Sequence, residues 1–230
     1  ATFKIISDPY DSLSVLGASS SDIFGSQFTQ EQTLHLSFTI RLPANIRSIA
    51  VNEQDSTLWA CTPAGIGQIQ LYPKSGKDPK LLQVHDSIAG LDDFQDIYAY
   101  QIGEKLLFAS PKGFLEFDKG NKRFVFSEDG IAKTVGERDI YRLATRNNND
   151  VWLVGVESRK SPFQVWSKNG DTYQNKQHVL GRLPAQSVET IFHEENGISW
   201  IGGSICIFRI DNPLAESNSK VEFKAMIREV

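Results

Sequence analysis

The chain has 230 residues, of which 40% are hydrophobic and 23% charged, a balance that supports a folded globular protein with a sizeable core. Its 24 basic and 28 acidic residues leave a formal charge of −4 with no long block of either sign, which gives no electrostatic drive toward nucleic acid or an anionic membrane. No run of about 18 apolar residues occurs, so no part of this chain is expected to insert into a membrane.

Cys61 and Cys206 are the only cysteines, and both lie in apolar, strand-like runs. Two cysteines make no disulfide framework. Inert buried thiols are expected, with a disulfide as the alternative, and the redox compartment stays open. The sequence starts at Ala1 and its one methionine is Met226, so the start is expected to be processed or engineered, with an N-terminal targeting segment removed.

Short alternating runs separated by Gly, Asp, Asn and Pro predict strands throughout, with no helical stripe. In the first module these are Phe3 to Ser7, Leu13 to Gly17, Asp22 to Phe28 and Leu34 to Ile40. In the second, Ile46 to Val51, Thr57 to Thr62, Ile66 to Tyr72 and Lys80 to His85 follow, with Pro63-Ala64-Gly65 as a turn. The third repeats the plan with Ile97 to Ile102, Lys105 to Ser110, Phe114 to Asp118 and Arg123 to Ser127, its turn Pro111-Lys112-Gly113 echoing the earlier one. The fourth has Ile140 to Thr145, Val151 to Val156, Phe163 to Ser167 and a last strand near Gln177 to Leu180. The fifth has Val188 to His193, Ile198 to Gly203 and Ser204 to Ile210. A polar linker and a final alternating strand, Val221 to Val230, come after it. The modules fall at about 1–45, 46–94, 95–137, 138–186 and 187–213. Residues 214–230 form the linker and the final strand, which serves either as the outer strand of the last module or as the start of a next domain.

The modules share an anchor. Trp59, Phe108, Trp152 and Trp200 stand 49, 44 and 48 residues apart on the second strand of successive modules. Arg41-Leu42-Pro43-Ala44 recurs as Arg182-Leu183-Pro184-Ala185, each proline 16 residues before its tryptophan. A recurring aromatic at this period, with four antiparallel strands per repeat, predicts an all-β fold. The expected architecture is a β-propeller of about five four-stranded blades, either a five-bladed ring or part of a larger one. The anchors are expected to be core, with Trp59, Trp152 and Trp200 buried between blades.

The stretches Asp55-Ser56-Thr57-Leu58-Trp59-Ala60-Cys61-Thr62-Pro63-Ala64-Gly65-Ile66, Asn149 to Gly155 and Asn196 to Gly203 resemble the two-component regulator propeller repeats, as does the linking Asp129-Gly130-Ile131. Phe223 to Val230 resembles the segment that leaves the last blade in such receptors. The chain departs from the pattern at Phe108, which stands for a tryptophan, at Cys61, which stands for a small glycine, and after Gly155. The resemblance covers residues 41–230. It implies a non-enzymatic sensor propeller of a bacterial histidine kinase, hybrid kinase or diguanylate cyclase, in the periplasmic or extracellular portion of a membrane receptor. It also implies a small-molecule or glycan ligand of unknown identity, downstream signalling domains as partners and a possible homodimer.

The residues themselves offer little chemistry. His35, His85, His178 and His193 stand alone, without metal-ligand spacing, so no metal and no cofactor is expected. His85-Asp86 is expected to be a solvated pair, since strand neighbours point to opposite faces. The carboxylates Asp92-Asp93 and Glu194-Glu195 are expected to be solvating loop charge rather than a glycosidase pair. No catalytic residue is assigned and ligand-binding residues are unknown. Glu157-Ser158-Arg159-Lys160, in the longest loop, reads as a solvated loop or a rim contact. A propeller lactonase, lyase or glycosidase is the competing function, and a protein-interaction scaffold the third.

Overall fold

The computed structural model describes residues 3–7, 14–29, 33–71, 78–89, 91, 93–128, 130–136, 140–146, 150–155, 163–170, 172–176, 188–194, 196–203, 206–211 and 223–226. The fold is all-β, a five-bladed β-propeller whose blades are five four-stranded antiparallel sheets in simple up-and-down order. Sheet 1 is β1 (Phe3–Ser7), β2 (Ser14–Ser19), β3 (Asp22–Phe28) and β4 (Leu34–Arg41); sheet 2 is β5 (Ser48–Asn52), β6 (Thr57–Thr62), β7 (Gly65–Gln70) and β8 (Lys80–His85). Sheet 3 is β9 (Tyr98–Ile102), β10 (Lys105–Ser110), β11 (Gly113–Asp118) and β12 (Arg123–Phe126). Sheet 4 is β13 (Ile140–Arg146), β14 (Asp150–Gly155), β15 (Phe163–Asn169) and β16 (Thr172–Asn175); sheet 5 is β17 (Val188–His193), β18 (Ile198–Gly203), β19 (Ile207–Asp211) and β20 (Phe223–Met226). The chain divides into two compact units, one carrying sheets 1 to 3 and the other sheets 4 and 5.

In the first unit, β6 is buried along its whole length because it is covered on both faces. Leu58 and Ala60 point toward sheet 1 and join Leu16, Ala18 and Ile23. Trp59 and Cys61 point the other way and join Ile97, Ala99, Phe108, Leu115 and Phe124 of sheet 3 and its approach. The Pro63-Ala64-Gly65 turn fixes this register. Gly65 has φ +135°, and a Cβ there would stand 2.5 Å from the His85 carbonyl oxygen, so only glycine brings β7 this close to β8. In the second unit, Trp152, Val154 and Val165 of sheet 4 pack against Val188, Ile201, Phe208 and Ile210 of sheet 5.

Two expectations about the anchors are corrected. Aligning Gly113 with Gly65 puts Leu107, not Phe108, at the place of Trp59. Phe108 falls where sheet 2 has Ala60, on the face turned toward the preceding sheet, where its ring meets Trp59 edge-on at 5.5 Å. A shift of one residue on a strand reverses the face. With Leu107 in place the spacings become 48, 45 and 48, more even than the aromatic count. Trp200, expected to be buried, is only half-buried. It has the phase of Trp59 and Trp152, but its cross-strand neighbour Phe192 is 60% exposed and Ile207 is 53% exposed.

Smaller differences follow from local chemistry. The fourth strand of sheet 4 is β16, and the strand expected near Gln177 to Leu180 falls outside the described residues. Gly170, at φ +59°, lets the chain reverse at once, so Asn169 pairs with Thr172. Gly130 and Ile131, read with Asp129 as a link, open a six-residue helix, α1 (Gly130–Val135), that buries Ile131, Ala132 and Val135. The final strand β20 pairs with β19 and is the outer strand of sheet 5.

Candidate functional site

Where the β5–β6 turn of sheet 2 meets the β9–β10 turn and the end of β11 of sheet 3, a cleft of about 240 Å³ opens. Its floor is apolar: Trp59 and Phe108 are fully buried, while Phe117 and Leu106 are half-buried. Its rim is polar and carries both signs, with Glu104 and Lys105 from β9–β10, Glu116 and Lys119 from β11 and its turn, and Asn52 and Gln54 from β5–β6.

The rim is organised from the backbone up. Asp118 folds the β11–β12 turn by accepting hydrogen bonds from the Gly120 and Asn121 amides, at 2.9 and 3.2 Å, and from Asn121 Nδ2 at 2.6 Å. The Asn121 side-chain bond, with the two amides adding to it, holds the Asp118 carboxyl below its ordinary range. That turn presents Lys119, whose Nζ stands 2.6 Å from Asp55 Oδ2 on the opposite turn. Asp55 in turn accepts from the Thr57 amide at 3.2 Å, from the Thr57 hydroxyl and from Asn52 Nδ2 at 3.5 Å. Thr57 Oγ1 also accepts from Trp59 Nε1 at 3.0 Å. A continuous chain of polar contacts therefore runs from the exposed ammonium of Lys119 to the buried indole of Trp59.

Behind the floor lies His85. It is buried, not solvated as its neighbour Asp86 is, because it is the last residue of β8 and turns onto the face of Trp59. Its ring stacks on Trp59 at 5.8 Å and meets Phe117 and Phe124 edge-on at 5.1 and 5.2 Å. Burial pushes its pKa below the ordinary histidine value, and Asp86 opposes the shift.

The other residues singled out from sequence are not brought together. His35 is exposed on β4, and His178 lies outside the described residues, as do Asp92, Glu195 and the loop 157–160. Asp93 caps its own turn by accepting from the Gln95 amide at 3.0 Å. Glu194 accepts from Trp200 Nε1 and from Asn196 Nδ2, and the Trp200 bond holds its carboxyl down. His193 Nδ1 is 2.9 Å from Ser199 Oγ, a pairing the sequence reading missed, although the two are direct cross-strand neighbours. Ser199 is fully buried, so this hydroxyl does not reach a substrate. Cys61 and Cys206 are thiols, the first in the core and the second half-buried. Among the described residues, no three His, Cys, Asp or Glu gather as a metal site, and no helix is long and apolar enough to cross a membrane.

The cleft was not read from sequence because its residues come from two modules. The available signal was that Asn52 to Ser56 and Gly103-Glu104 are the same turn of adjacent repeats, and so lie at the same end.

No protein-family model and no curated protein matches the chain. Solved structures do match in fold. The extracellular domain of the candidate hybrid two component system BT4673 from B. thetaiotaomicron aligns with 95% of this chain at a TM-score of 0.57 and 15% identity. This chain covers 27% of that structure. The corresponding domain of BT3049 from the same organism aligns with 96% of the chain at a TM-score of 0.55 and 12% identity, covering 29% of it. A candidate 6-phosphogluconolactonase, BF1038 from Bacteroides fragilis, aligns with 98% of the chain at a TM-score of 0.63 and 11% identity, covering 71% of it. The chain thus spans between a quarter and a third of the two receptor domains.

Proposed function

We propose that this chain is a non-catalytic, extracytoplasmic β-propeller region of a two-component-type receptor. In this reading it binds a small molecule or glycan and relays occupancy to a kinase or cyclase module outside the chain. The observation that carries the reading is the recurrence of the receptor-type repeat in one structural phase, at Trp59, Trp152 and Trp200. The fold likeness to extracellular domains of hybrid two-component proteins supports it. The cleft between sheets 2 and 3 is the ligand site in this reading, and a homodimer is the working assembly. The test is the reading frame around the chain, together with the purified chain itself. A membrane-spanning segment followed by a kinase or cyclase module is expected downstream. A stop codon directly after Val230, with no such module, would overturn it.

A second reading is an enzyme, and the likeness to BF1038 is what favours it. Fold does not choose between them. Assay of the purified chain against 6-phosphogluconolactone, simple esters and glycosides decides. No turnover above the uncatalysed rate is expected, and saturable hydrolysis of any of them would promote the enzyme.

A further inference from the structure

We infer that the cleft between sheets 2 and 3 binds a zwitterion of free-amino-acid size with an apolar side chain. Its carboxylate would lie at Lys119, its ammonium toward Glu104, and its side chain over Leu106 and Phe117. The inference rests on the ligand-binding part of the reading above and narrows the ligand.

Four observations carry it. The first is size: at about 240 Å³ the cleft falls just below the roughly 300–1,000 Å³ of sites for drug-sized ligands, so its volume suits a small molecule. The second is charge: the lining carries both signs, with Glu104 and Lys119 both exposed, while Lys105 and Glu116 have partners of their own. A ligand of one sign meets as much repulsion as attraction, whereas one carrying both signs can pair with each. A hydroxyl on these groups gains a charge-assisted hydrogen bond, whereas an ion of opposite sign gains charge–charge attraction as well. The third is that the cation is accessible. Lys119 is 54% exposed and Asp55 30% exposed, and an ion pair this open to solvent is weakly held. An incoming carboxylate would share Lys119 with Asp55 against the repulsion of the two carboxylates, while Asp55 keeps its bonds from Thr57 and Asn52. The fourth is the floor, where the half-buried Leu106 and Phe117 offer apolar surface to a side chain.

The test is calorimetric titration of the purified chain with L-leucine and L-phenylalanine. Their methyl esters lack the carboxylate, their N-acetyl derivatives lack the ammonium, and D-glucose is the uncharged polyol. The amino acids should bind, and each blocked form should bind at least about tenfold more weakly. In Lys119→Met the free acid and the ester should become equal, and in Glu104→Gln the free acid and its N-acetyl form should draw together. Both positions are on the exposed rim, and circular dichroism checks that the variants fold. Binding of glucose without the amino acids, esters as tight as acids, binding unchanged in Lys119→Met, or no binding by any probe would each overturn the inference. None of these outcomes touches the reading-frame or hydrolysis tests, so the two readings fail separately.

Discussion

Sheets 2 and 5 carry the same tryptophan at the same place on the second strand, yet the two residues live differently. Trp59 stands between Ala50 and Gln68 on its ladder, is 1% exposed, and is enclosed by His85, Phe108, Phe117 and Phe124. Trp200 stands between Phe192 and Arg209, is half-buried, gives its N–H to Glu194, and has the Arg209 guanidinium 5.9 Å above its ring. The other half of each strand behaves alike, since Leu58 and Ala60, and Ser199 and Ile201, are all buried against the preceding sheet. A repeat motif therefore fixes the direction in which a side chain points, while its burial depends on what lies in that direction.

The comparison can be broken most directly with alanine. Trp59→Ala should cost about 3–5 kcal/mol, as for other fully buried aromatics, read as a lowered denaturant midpoint at unchanged slope. Trp200→Ala should cost about 1 kcal/mol, the scale of a partly exposed hydrogen-bonded ring. Equal losses at the two positions would remove the distinction. Next in size, Gly65→Ala should cost about 1–3 kcal/mol, because it strains a left-handed backbone against the His85 carbonyl in the register of sheet 2.

Acid should also single out sheet 2. His85 has a folded pKa below its unfolded value, so folding favours the neutral ring. Its contribution is complete above pH 6.5 and is lost as pH falls below 6.5 toward the folded pKa, where the unfolded chain takes up the proton first. Urea midpoints at pH 7.5 and 5 should therefore differ less in His85→Leu than in the parent. The smallest effect is expected at Phe192→Ala, which gives sheet 5 the Ala–Trp neighbours of sheets 2 and 4. At an exposed position the change should stay within about 0.5 kcal/mol.

Much of the architecture was legible because the punctuation is strong. Thr57 to Thr62, Lys80 to His85, Lys105 to Ser110 and Ile198 to Gly203 are strands to the residue, each bounded by Gly, Asn, Asp or Pro turns. Phe108 misled because an aromatic was easier to see than a register, and only the paired glycines reveal the phase. α1 escaped because six residues are too few to show a helical stripe. The surroundings of Trp200 were illegible for a different reason, since nothing local encodes whether a face is covered. The cleft was hidden for a third: Asp55 and Lys119 are 64 residues apart, and only the stacking of one repeat on the next makes them neighbours.

The exchange of bulk at Phe108 has a consequence for assembly order. Sheet 2 carries its large residue, Trp59, on the forward face and alanine, Ala60, on the rear; sheet 3 carries phenylalanine, Phe108, on the rear. Trp59 and Phe108 thus form a lock and key written into two otherwise interchangeable cassettes. Moving sheet 3 behind a sheet without that indole would leave a void beside Phe108, and inserting a copy of sheet 2 in its place would set Ala60 against Trp59. A repeat array with identical modules has no memory of sequence order, but this pair gives the junction of sheets 2 and 3 a fit of its own.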